Sequence, residues 1–386
     1  MKKQILFCSL SLMAASSMLF FNSCKKTTEE PTTKNNNAQT SLLQDAQKGK
    51  PFNSGIINDF TLAYSNDQVL MLAVNNSTGM VYAIDLEDNN AGSASANEIT
   101  GNVSDFGTKL AAAMGTQASN LSILNMEVNP ISKNVYLLAF NNSNNSSSVI
   151  KVSAAGTSVT VLDLSNVTYS SISYSASGER VNDIAWGNNT LFLSFSHAST
   201  LVGRVGSIKA PFKHNASMSN RATTVFKTNW GGNYFTDAPL ESMCFADVAG
   251  EKRLMGVTVC APGYSFKADE VSNGAGLLQV KEFFNLNTGS ALKVYTINQN
   301  GKTYLIEHHM NGRITRIGEK YLDESQTNFN ASAKYLLSVS GNVASGLGDE
   351  DVKIIEPSGT YIFSAKISDS KLLAMAGDGS LSVIGL

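Results

Sequence analysis

Charged residues are scarce in this sequence of 386 residues, in which Asp, Glu, Lys and Arg together make up 16%, against roughly 25% in an average soluble protein. Asn, Ser, Thr and Gly take their place, and these residues are typical of turns and solvated strand faces. The composition argues against coiled coils and helical bundles, whose exposed faces are rich in charge. Seven prolines are too few for a proline-rich linker. A net charge of -2 excludes a general nucleic-acid-binding surface, which needs a strong basic excess.

Long uncharged apolar runs are rare too, and the main one lies at the N-terminus. Lys2 and Lys3 precede an apolar stretch over residues 5–21, and Ser23-Cys24 follows it. A positive segment, an apolar segment and a small residue, in this order, are typical of a signal peptide. The ending Leu19–Cys24 resembles a bacterial lipobox, which predicts removal of residues 1–23 as a lipoprotein signal peptide and lipidation of Cys24. An ordinary signal peptide or a short transmembrane anchor is the alternative.

Residues 24–54 follow as a polar segment with almost no apolar periodicity. Such a composition buries too little surface to offset its ordering entropy, so we predict a disordered tether. More than one acyl chain gives stable anchoring, and the globular part would then be held at a membrane without entering it. Glu29-Glu30 resembles the charged surface-export signals of Bacteroidota lipoproteins. The sequence therefore predicts an exported protein that is lipid-anchored to the outer membrane, on its periplasmic or cell-surface side.

The cysteine usage agrees with export. Cys8 leaves with the signal peptide and Cys24 is the predicted lipid site, so Cys244 and Cys260 remain. An exported compartment permits a disulfide between them, but the predicted strand register does not place them directly opposite each other. Their pairing stays open.

From residue 55 onward, short alternating or apolar runs are separated by Asn, Gly, Asp and Ser turns, a pattern typical of strands and hairpins. One pair of strands recurs along the chain: Ile57–Tyr64 with Val69–Val74, Ile123–Val128 with Val135–Phe140, Val181–Trp186 with Leu191–Ser196, Leu240–Ala246 with Arg253–Val259, Leu292–Ile297 with Thr303–His308, and Tyr361–Ile367 with Lys371–Ala376. A third strand follows each pair: Met80–Asp85, Ser148–Val152, Arg204–Ile208, Tyr264–Lys267, Gly312–Ile317 and Ser380–Ile384. A fourth is visible in some units: Ser158–Leu164, Ala222–Lys227 and Leu277–Phe283. These repeats predict an all-β fold over residues 55–386, namely a single six-bladed β-propeller, and a seven-bladed one is the alternative.

The last repeat ends after its third strand, so closure of the ring requires a strand from elsewhere. We expect a segment around Gly49–Ile56 to complete that blade. One helix is predicted over Asp105–Met114, with Ser104 as its cap and an apolar residue at every fourth position. We expect this helix to cover the rim between the first two blades.

The loops indicate which face carries function. The hairpins between first and second strands lie on one face of a propeller, and they are short here, as expected of a structural face. The other loops lie on the opposite face with the channel mouth, and several are long: Glu87–Asn120, Ser165–Arg180, Thr228–Pro239 and Tyr321–Asp351. Long loops on a rigid scaffold are the usual place for binding. We therefore expect the binding function on this long-loop face.

Polar residues recur at the starts of the innermost strands, as Asp59, Asn125, Asp183, Glu241 and Lys293. An oxygen-rich ring at the channel mouth is a candidate site for Ca²⁺, which takes about six to eight oxygen ligands. The alternative is a polar channel filled with water, and it is favoured because Lys293 partly neutralises the ring.

A second polar column lies at the ends of the second strands, as Asn75, Asn141, His197, Cys260, His309 and Asp378. His and Cys are common metal ligands. Blades lie far apart at the rim, however, and His308 and His309 point to opposite faces of their strand. A rim of solvated polar turns is therefore the favoured interpretation, and a metal site is the alternative.

Three aromatic residues, Trp230, Tyr234 and Phe235, surround two glycines just before Asp237. Exposed rings stack on sugars or on the side chains of partner proteins. A loop that folds onto the junction of the third and fourth blades, with its rings partly buried, is equally compatible with the sequence.

The stretch from Val181 to Ile317 resembles a group of bacterial exported six-bladed propellers related to the YVTN and TolB-like types. Its members carry a His-Ala-Pro-Ile type turn before one blade and a Thr-Cys-Thr-Pro type turn after that blade's second strand. The matching residues here are Asp237-Ala238-Pro239-Leu240 and Val259-Cys260-Ala261-Pro262, with the hairpin Gly301–Leu305 after them. Asp237 replaces the usual His, so no role that needs imidazole carries over. The resemblance implies a propeller fold and no established activity.

Two functions are compatible with these features. The favoured one is a binding lipoprotein that uses the long-loop face for a glycan, peptide or protein ligand. The other is a cation-assisted hydrolase of the lactonase or phosphatase kind, with Asp59, Asn125, Asp183 and Glu241 as ligands. The sequence contains no G-x-S-x-G, H-E-x-x-H or P-loop motif. Redox or metal handling through Cys260 and His309 ranks third.

Overall fold

Short strands joined by Asn- and Gly-containing turns make up most of the fold. The computed structural model describes residues 41–386 except 54, 66–67, 91–102, 175–177, 198–202, 219, 229–233, 237–238, 259–262, 275–276, 280, 284–290, 320–321, 323–351, 358 and 360. Its six larger sheets are arranged so that the innermost strand of each packs against those of two neighbours. The ring is closed, and the predicted six-bladed β-propeller is confirmed. No helix in the described ranges is long and apolar enough to span a bilayer.

The blades are numbered by the chain order of their innermost strands. Blade 1 contains Asp59–Ser65, Gln68–Asn75, Met80–Asp85 and Val167–Ser173, with Gln47–Lys50 and Ala216–Ser217 at its outer edge. Blade 2 contains Leu121–Val128, Val135–Asn141, Ser146–Val152 and Val159–Val161. Blade 3 contains Glu179–Gly187, Thr190–His197, Arg204–Lys209 and Asn220–Thr228, with Tyr234–Thr236 and Leu277–Gln279 paired to its last strand.

Blade 4 contains Leu240–Val248, Glu251–Thr258, Gly263–Lys267 and Lys281–Phe283. Blade 5 contains Ala291–Gln299, Lys302–His309, Ile314–Gly318 and Val352–Glu356, and blade 6 contains Tyr361–Ser368, Lys371–Ala376 and Leu381–Gly385. Leu43–Gln44 and Phe212–Lys213 form a separate parallel pair. The helices whose full span is described are Phe106–Ala113, the 3₁₀ turn Ala118–Asn120, and Ala268–Ser272.

The order of the blades around the ring differs from their order along the chain. Shared hydrophobic clusters join blade 1 to blades 2 and 3, and further clusters join 3 to 4, 4 to 5, 5 to 6 and 6 to 2. Blade 2 is therefore inserted between the third strand of blade 1, Met80–Asp85, and its fourth, Val167–Ser173, which pair directly. The ring runs 2-1-3-4-5-6.

The predicted closure of the ring was wrong. The segment around Gly49–Ile56 does not reach the last blade, because Gln47–Lys50 pairs with Val167–Ser173 of blade 1. Phe52 fixes this position by packing edge-on against Tyr82 and Tyr169, with ring centroids 4.9 and 5.6 Å away. At blade 6, Val103 instead forms an isolated bridge with Leu381.

The predicted helix exists, over Phe106–Ala113, but it lies at a different junction. Ser104 is not its cap; Asp105 precedes it in the left-handed region, at φ 57°. Phe106 and Leu110 are buried in the cluster between blades 2 and 6. The helix approaches so closely that a Cβ on Gly379 would lie 3.0 Å from the Gly107 Cα.

The globular unit begins earlier than the predicted boundary at residue 54. Ser41–Leu386 form one compact unit. Leu42 is buried in the cluster between blades 1 and 3, together with Phe212. Residues 41–53, predicted as part of the tether, thus lie against the propeller wherever they are described.

Candidate functional site

A β-bulge interrupts the innermost strand near its start in blades 2 to 6. A bulge sets two residues opposite one and re-aims the side chains around it. The residues skipped by the register are Leu124, Asn182, Glu241, Leu292 and Ile362. The residues that follow them are Asn125, Asp183, Ser242, Lys293 and Phe363, and the corresponding residue of the unbulged blade 1 is Asp59.

The bulges explain which residues of the first predicted column meet. Asp59, Asn125, Asp183 and Lys293 come together at the axis of the ring through the contacts described below. Glu241 does not take part, because it is the bulged residue and is exposed. The buried Ser242 takes the equivalent position. We call Asp59, Asn125, Asp183, Ser242 and Lys293 the hub ring.

Hydrogen bonds of the hub ring join neighbouring innermost strands. Asn125 Nδ2 donates to Asp59 Oδ1 at 2.6 Å and to the Phe60 carbonyl at 2.7 Å, which links blade 2 to blade 1. The Met243 amide donates to Asp183 Oδ2 at 2.5 Å and links blade 4 to blade 3. The Val294 amide donates to Ser242 Oγ at 3.0 Å, joining blade 5 to blade 4. The polar residues therefore hold the blades together at the axis.

Lys293 crosses from blade 5 to blade 2. Its Nζ donates to Asn125 Oδ1 at 2.7 Å and to Glu127 Oε1 at 2.8 Å. Burial alone would lower the pKa of Lys293, but the carboxylates of Glu127, Asp183 and Asp59 raise it above its ordinary value. The ammonium is therefore charged throughout the physiological range and acts as the internal cation of the ring.

Unlike Lys293, which stays charged, the two aspartates of the hub ring are shifted toward their neutral form. Burial raises the pKa of Asp59 well above its usual range, and the charge of Asp183 raises it further. Burial also raises the pKa of Asp183, against the influence of Lys293 and the Met243 amide. Asp59 Oδ2 is buried with no hydrogen-bond partner among the described residues. The environment thus favours a neutral Asp59.

The hub ring does not fit Ca²⁺. This ion takes about six to eight oxygen ligands, whereas the Asn125 amide oxygen already accepts from the Lys293 ammonium. The ammonium supplies the positive charge among these carboxylates and would repel a second cation. In the described part of the chain, no group of three or more His, Cys, Asp or Glu is arranged to hold a metal ion. The ring therefore gives no support to a cation-assisted hydrolase.

The second predicted column does not converge. Asn75 Oδ1, Asn141 Oδ1 and Asp378 Oδ1 accept hydrogen bonds from backbone amides two residues further on, which is the geometry of polar turn caps. His197 belongs to blade 3 and packs against Gly178. His309 belongs to blade 5, where its Nε2 lies 3.1 Å from Thr315 Oγ1.

Histidine 308 and Cys244 lie in the interior. His308 points away from His309, as predicted, toward blade 6, where its Nδ1 lies 2.9 Å from Ser364 Oγ. Both residues of this Ser-His pair are fully buried, and neither is among the residues that line the axial cavity described below. Cys244 is a buried free thiol, and burial raises its pKa. Cys260 lies outside the described residues.

The aromatic loop is only partly described. Trp230 and Asp237 lie outside the described residues, as does Cys24. The backbone of Tyr234–Thr236 forms a short strand paired with Phe226–Thr228 at the end of blade 3. Tyr234 and Phe235 therefore belong to a sheet extension rather than to a free loop.

A cavity that the sequence did not indicate lies on the axis, beside the hub ring. Its volume is about 260 Å³, and it extends toward the hairpin ends of the innermost strands, where Tyr64 is 51% exposed. Tyr64, Trp186 and Phe245 line it, together with Glu127 and Lys366. The face predicted to be merely structural thus carries the cavity. The innermost strands of three blades each place an aromatic side chain at the cavity. The sequence does not show that these side chains meet, because the order of the blades around the ring is not evident from it.

Comparisons with known proteins give no family assignment, since no protein-family model and no curated protein matches the chain. Among solved structures, the chain is similar to Drosophila Plexin A in complex with Semaphorin 1b, at 12% identity and a TM-score of 0.37, over 88% of each chain. It is also similar to the dihydro-heme d1 dehydrogenase NirN in complex with DHE, at 11% identity and a TM-score of 0.34, over 84% of this chain and 52% of that one. A further similar structure is YCF48 bound to D1 peptide, at 7% identity and a TM-score of 0.32, over 85% of this chain and 78% of the other.

Proposed function

We propose that this protein is an exported, lipid-anchored binding module that recognises a partner protein with the face on which its innermost strands begin. Cys24 is the proposed lipid site, exposed after removal of residues 1–23, and the outer membrane is the proposed location. A closed propeller suits this role because the ring is rigid and its loops vary freely. The hub ring supports binding over catalysis, since its polar groups are engaged in joining blades.

The observation that carries the proposal is an arc of exposed aliphatic side chains around the axis. Leu124, Leu292 and Ile362 are 40%, 36% and 45% exposed. Each is the bulged residue of its innermost strand. Their blades 5, 6 and 2 are neighbours in the ring, so the side chains occupy equivalent positions side by side. We call these three residues the apolar rim.

The bulged residues on the other side of the axis are polar or acidic. They are Asn182, whose amide donates to the Leu240 carbonyl at 3.2 Å, and the exposed Glu241. Partial burial and the nearby charge of Asp183 raise the pKa of Glu241, which indicates a negative potential at this side. An aliphatic side chain beside a Lys or Arg complements both sides of the axis. We therefore propose a protein segment with this pair of residues as the partner.

A displayed random-peptide library tests this choice of partner. The full chain carrying Cys24→Ser is used as bait, and we expect the selected peptides to share an aliphatic residue next to Lys or Arg. The double variant Leu124→Ser with Ile362→Ser should bind them at least about tenfold more weakly, because it removes two apolar contacts.

Val161→Ser is the matched control, since Val161 is 43% exposed on the outermost strand of blade 2, away from the axis. Equal loss in the control and the double variant would contradict the proposal. Binding on a glycan array, without any selected peptide, would assign the face to a glycan and also contradict it.

The aromatic loop is a second proposed contact on this face. Trp230, Tyr234, Phe235 and Asp237 belong to the connection between blades 3 and 4. Trp230→Ala in the same peptide assay should weaken binding if the loop takes part, and unchanged affinity would restrict recognition to the rim.

The anchor is tested separately. Cells that express the full chain are fed a radiolabelled fatty acid, and we expect label in the wild-type protein and none in Cys24→Ser. The variant should also move from the membrane fraction to the soluble fraction. An unlabelled wild type would contradict lipidation without affecting the peptide assay.

A further inference from the structure

The axial cavity on the hairpin face has an aromatic wall. Tyr64 of blade 1, Trp186 of blade 3 and Phe245 of blade 4 line it, and these three blades are consecutive in the ring. All residues that line the cavity belong to the described part of the chain. The cavity opens at the opposite ends of the innermost strands from the apolar rim, so it is a separate site from the partner surface proposed above.

Two rings of the aromatic wall are fixed by their neighbours. Phe245 stacks on Phe192, with centroids 6.1 Å apart and planes 9° from parallel. It also lies against Gly187, where an added Cβ would be 2.1 Å from the Phe245 ring. Trp186 packs against Phe212, with centroids 5.8 Å apart. A ligand therefore meets a surface that is already ordered, which lowers the entropic cost of binding.

The charged side chains that line the cavity are paired. Lys293 Nζ lies 2.8 Å from Glu127 Oε1, and Lys366 Nζ lies 2.6 Å from Asp369 Oδ1. Each charged residue of the lining is thus one half of an ion pair. A charged ligand would have to compete with the pair that is already present, so the lining selects for neither charge.

The ion pairs keep unused hydrogen-bonding positions. An ammonium group has three protons to donate. Lys293 uses two of them, on Asn125 and Glu127, and Lys366 uses two, on Asp369 and the Thr296 carbonyl. The other carboxylate oxygen of Glu127, Oε2, accepts no hydrogen bond from any described residue. The cavity wall therefore offers donors and an acceptor together.

A neutral hydroxyl group matches this wall best. It donates one hydrogen bond and accepts two, so it can bond to a carboxylate and to an ammonium at once. An ammonium ligand would serve only Glu127, and a carboxylate ligand only Lys293 and Lys366. Hydrogen bonds to charged groups are the stronger ones. Beside an aromatic wall, these groups suit a ring that has a C–H face and hydroxyl groups at its edge.

We propose that this cavity binds one neutral pyranose, the six-membered ring of a simple sugar. The C–H face of the ring packs on the aromatic wall, and its hydroxyl groups bond to Glu127, Lys293 and Lys366. A cavity of about 150 Å³ holds benzene, so the volume of about 260 Å³ has room for such a ring with its substituents. Few well-placed polar groups in a partly apolar cavity are typical of small-molecule sites.

Fluorescence of Trp186 tests the proposal. Trp186 and Trp230 are the two tryptophans of the chain, so Trp230→Phe leaves Trp186 as the sole indole. Methyl glucoside is the probe, because its equatorial hydroxyl groups leave C–H faces on both sides of the ring. Cyclohexylmethanol, cyclohexylmethylammonium and cyclohexanecarboxylate have a ring of the same size without the ring hydroxyls.

We expect a saturable change in emission with methyl glucoside and at least about tenfold weaker binding of the three cyclohexyl probes, which lack most of the hydrogen bonds. Absence of a saturable change with methyl glucoside would overturn the proposal. So would a cyclohexyl probe, neutral or charged, that binds as tightly as the glucoside.

Variants locate the sugar, and circular dichroism checks that each one folds. Tyr64→Leu should weaken glucoside binding about tenfold, whereas Tyr64→Phe keeps the ring and should stay within about threefold. Lys366→Met should also weaken it about tenfold. Lys252→Met is the matched control, because Lys252 pairs with Asp247 at a hairpin end of blade 4 and does not line the cavity.

Ile362→Ser separates this site from the apolar rim. Glucoside binding should be unchanged in this variant, because Ile362 lies at the other ends of the innermost strands. Loss of binding in Ile362→Ser, with unchanged affinity in Tyr64→Leu, would place the sugar on the rim and overturn the assignment to the cavity. Failure of the peptide assay described above would leave the sugar site unaffected.

Discussion

Lys293 is the residue on which the hub ring depends most. Its ammonium bonds to Asn125 and Glu127 and lies within range of two further carboxyl groups. A buried carboxylate that loses its cation costs far more than a surface ion pair contributes. We therefore expect removal of this cation to weaken the hub ring.

We predict that Lys293→Met lowers the free energy of unfolding by about 3 kcal/mol at neutral pH, because it leaves Glu127 and Asp183 without their cation. Urea denaturation measures the loss. Lys252→Met is the matched control, since Lys252 pairs with Asp247 on the surface, where an ion pair contributes less than about 1 kcal/mol. Similar small losses in both variants would show that Lys293 is not central to the ring.

Glu307 makes stability depend on pH. Burial raises its pKa to about 8, against roughly 4.3 in an unfolded chain. The folded state thus holds a proton that the unfolded state releases, so the free energy of unfolding falls as pH rises from about 4.5 to 8. His309 Nε2 lies 3.6 Å from Glu307 Oε2, and the Cys244 thiol is also within electrostatic range of Glu307.

Glu307→Gln should remove this part of the pH dependence, because the amide resembles the protonated acid and does not titrate. We expect the variant to match the wild type near pH 4.5 and to be more stable at pH 8, in urea denaturation at both values. Parallel pH profiles for the two proteins would contradict an uncharged Glu307 in the folded state.

The hub ring also shows which site residues could be predicted from the sequence and which could not. Asp59, Asn125, Asp183 and Lys293 were predicted as one group because each begins an innermost strand. Glu241 was included by the same count, but the bulge before Ser242 moves it out of the ring. Alternation of polar and apolar residues does not reveal a bulge, because one extra residue leaves both flanking patterns intact.

At the scale of the element, the bulges shape the start of each innermost strand. They direct one side chain into the hub and leave the preceding one at the rim. In blade 4, the bulge at Leu240–Ser242 requires close approach by the neighbouring strand, and Gly256 permits it. A Cβ on Gly256 would lie 2.5 Å from the Ser242 carbonyl oxygen and 2.8 Å from a Leu240 methyl carbon.

Gly256→Ala should therefore destabilise the protein by about 1–3 kcal/mol, because the bulge must shift to relieve the contact. Thermal unfolding measures the effect. Gly385→Ala is the control, since nothing lies within 4 Å of a Cβ there and its backbone is not left-handed. An unchanged melting temperature in Gly256→Ala would contradict the tight packing of the bulge.

The strands themselves were largely predictable. The first two strands of every repeat lie where alternation and turn residues placed them, because both signals are local. The fourth strands were harder: Leu277–Phe283 was predicted as one strand, but Leu277–Gln279 joins blade 3 and Lys281–Phe283 joins blade 4. The local sequence of a short outer strand that lies between two blades does not indicate with which of the two sheets it pairs.

At the scale of the whole molecule, the order of the blades is the main departure from the sequence-based prediction. The chain leaves blade 1 after three strands, pairs Val103 with blade 6, builds blade 2, and returns to finish blade 1 with Val167–Ser173. Pairing between distant segments depends on which surfaces meet in three dimensions, and the repeat pattern does not encode it.

A disulfide tests this path of the chain. Val103 and Leu381 exchange two backbone hydrogen bonds, of 2.8 and 3.2 Å, and such pairs have Cα atoms about 5.5 Å apart, within disulfide range. The variant Val103→Cys with Leu381→Cys should form the cross-link on mild oxidation, detected by mass spectrometry of a digest. Val103→Cys alone is the control, and two free thiols in the double variant would contradict the closure at blade 6.

A double-mutant cycle tests whether the apolar rim is a recognition surface. Calorimetry would give the affinity of a selected peptide, and of its version with the aliphatic residue changed to Ala, for the wild type and for Ile362→Ser. We predict that each change alone weakens binding about tenfold and that both together weaken it clearly less than the product of the two, because they remove the same contact. Independent, multiplicative losses, or an unchanged affinity in Ile362→Ser, would contradict it.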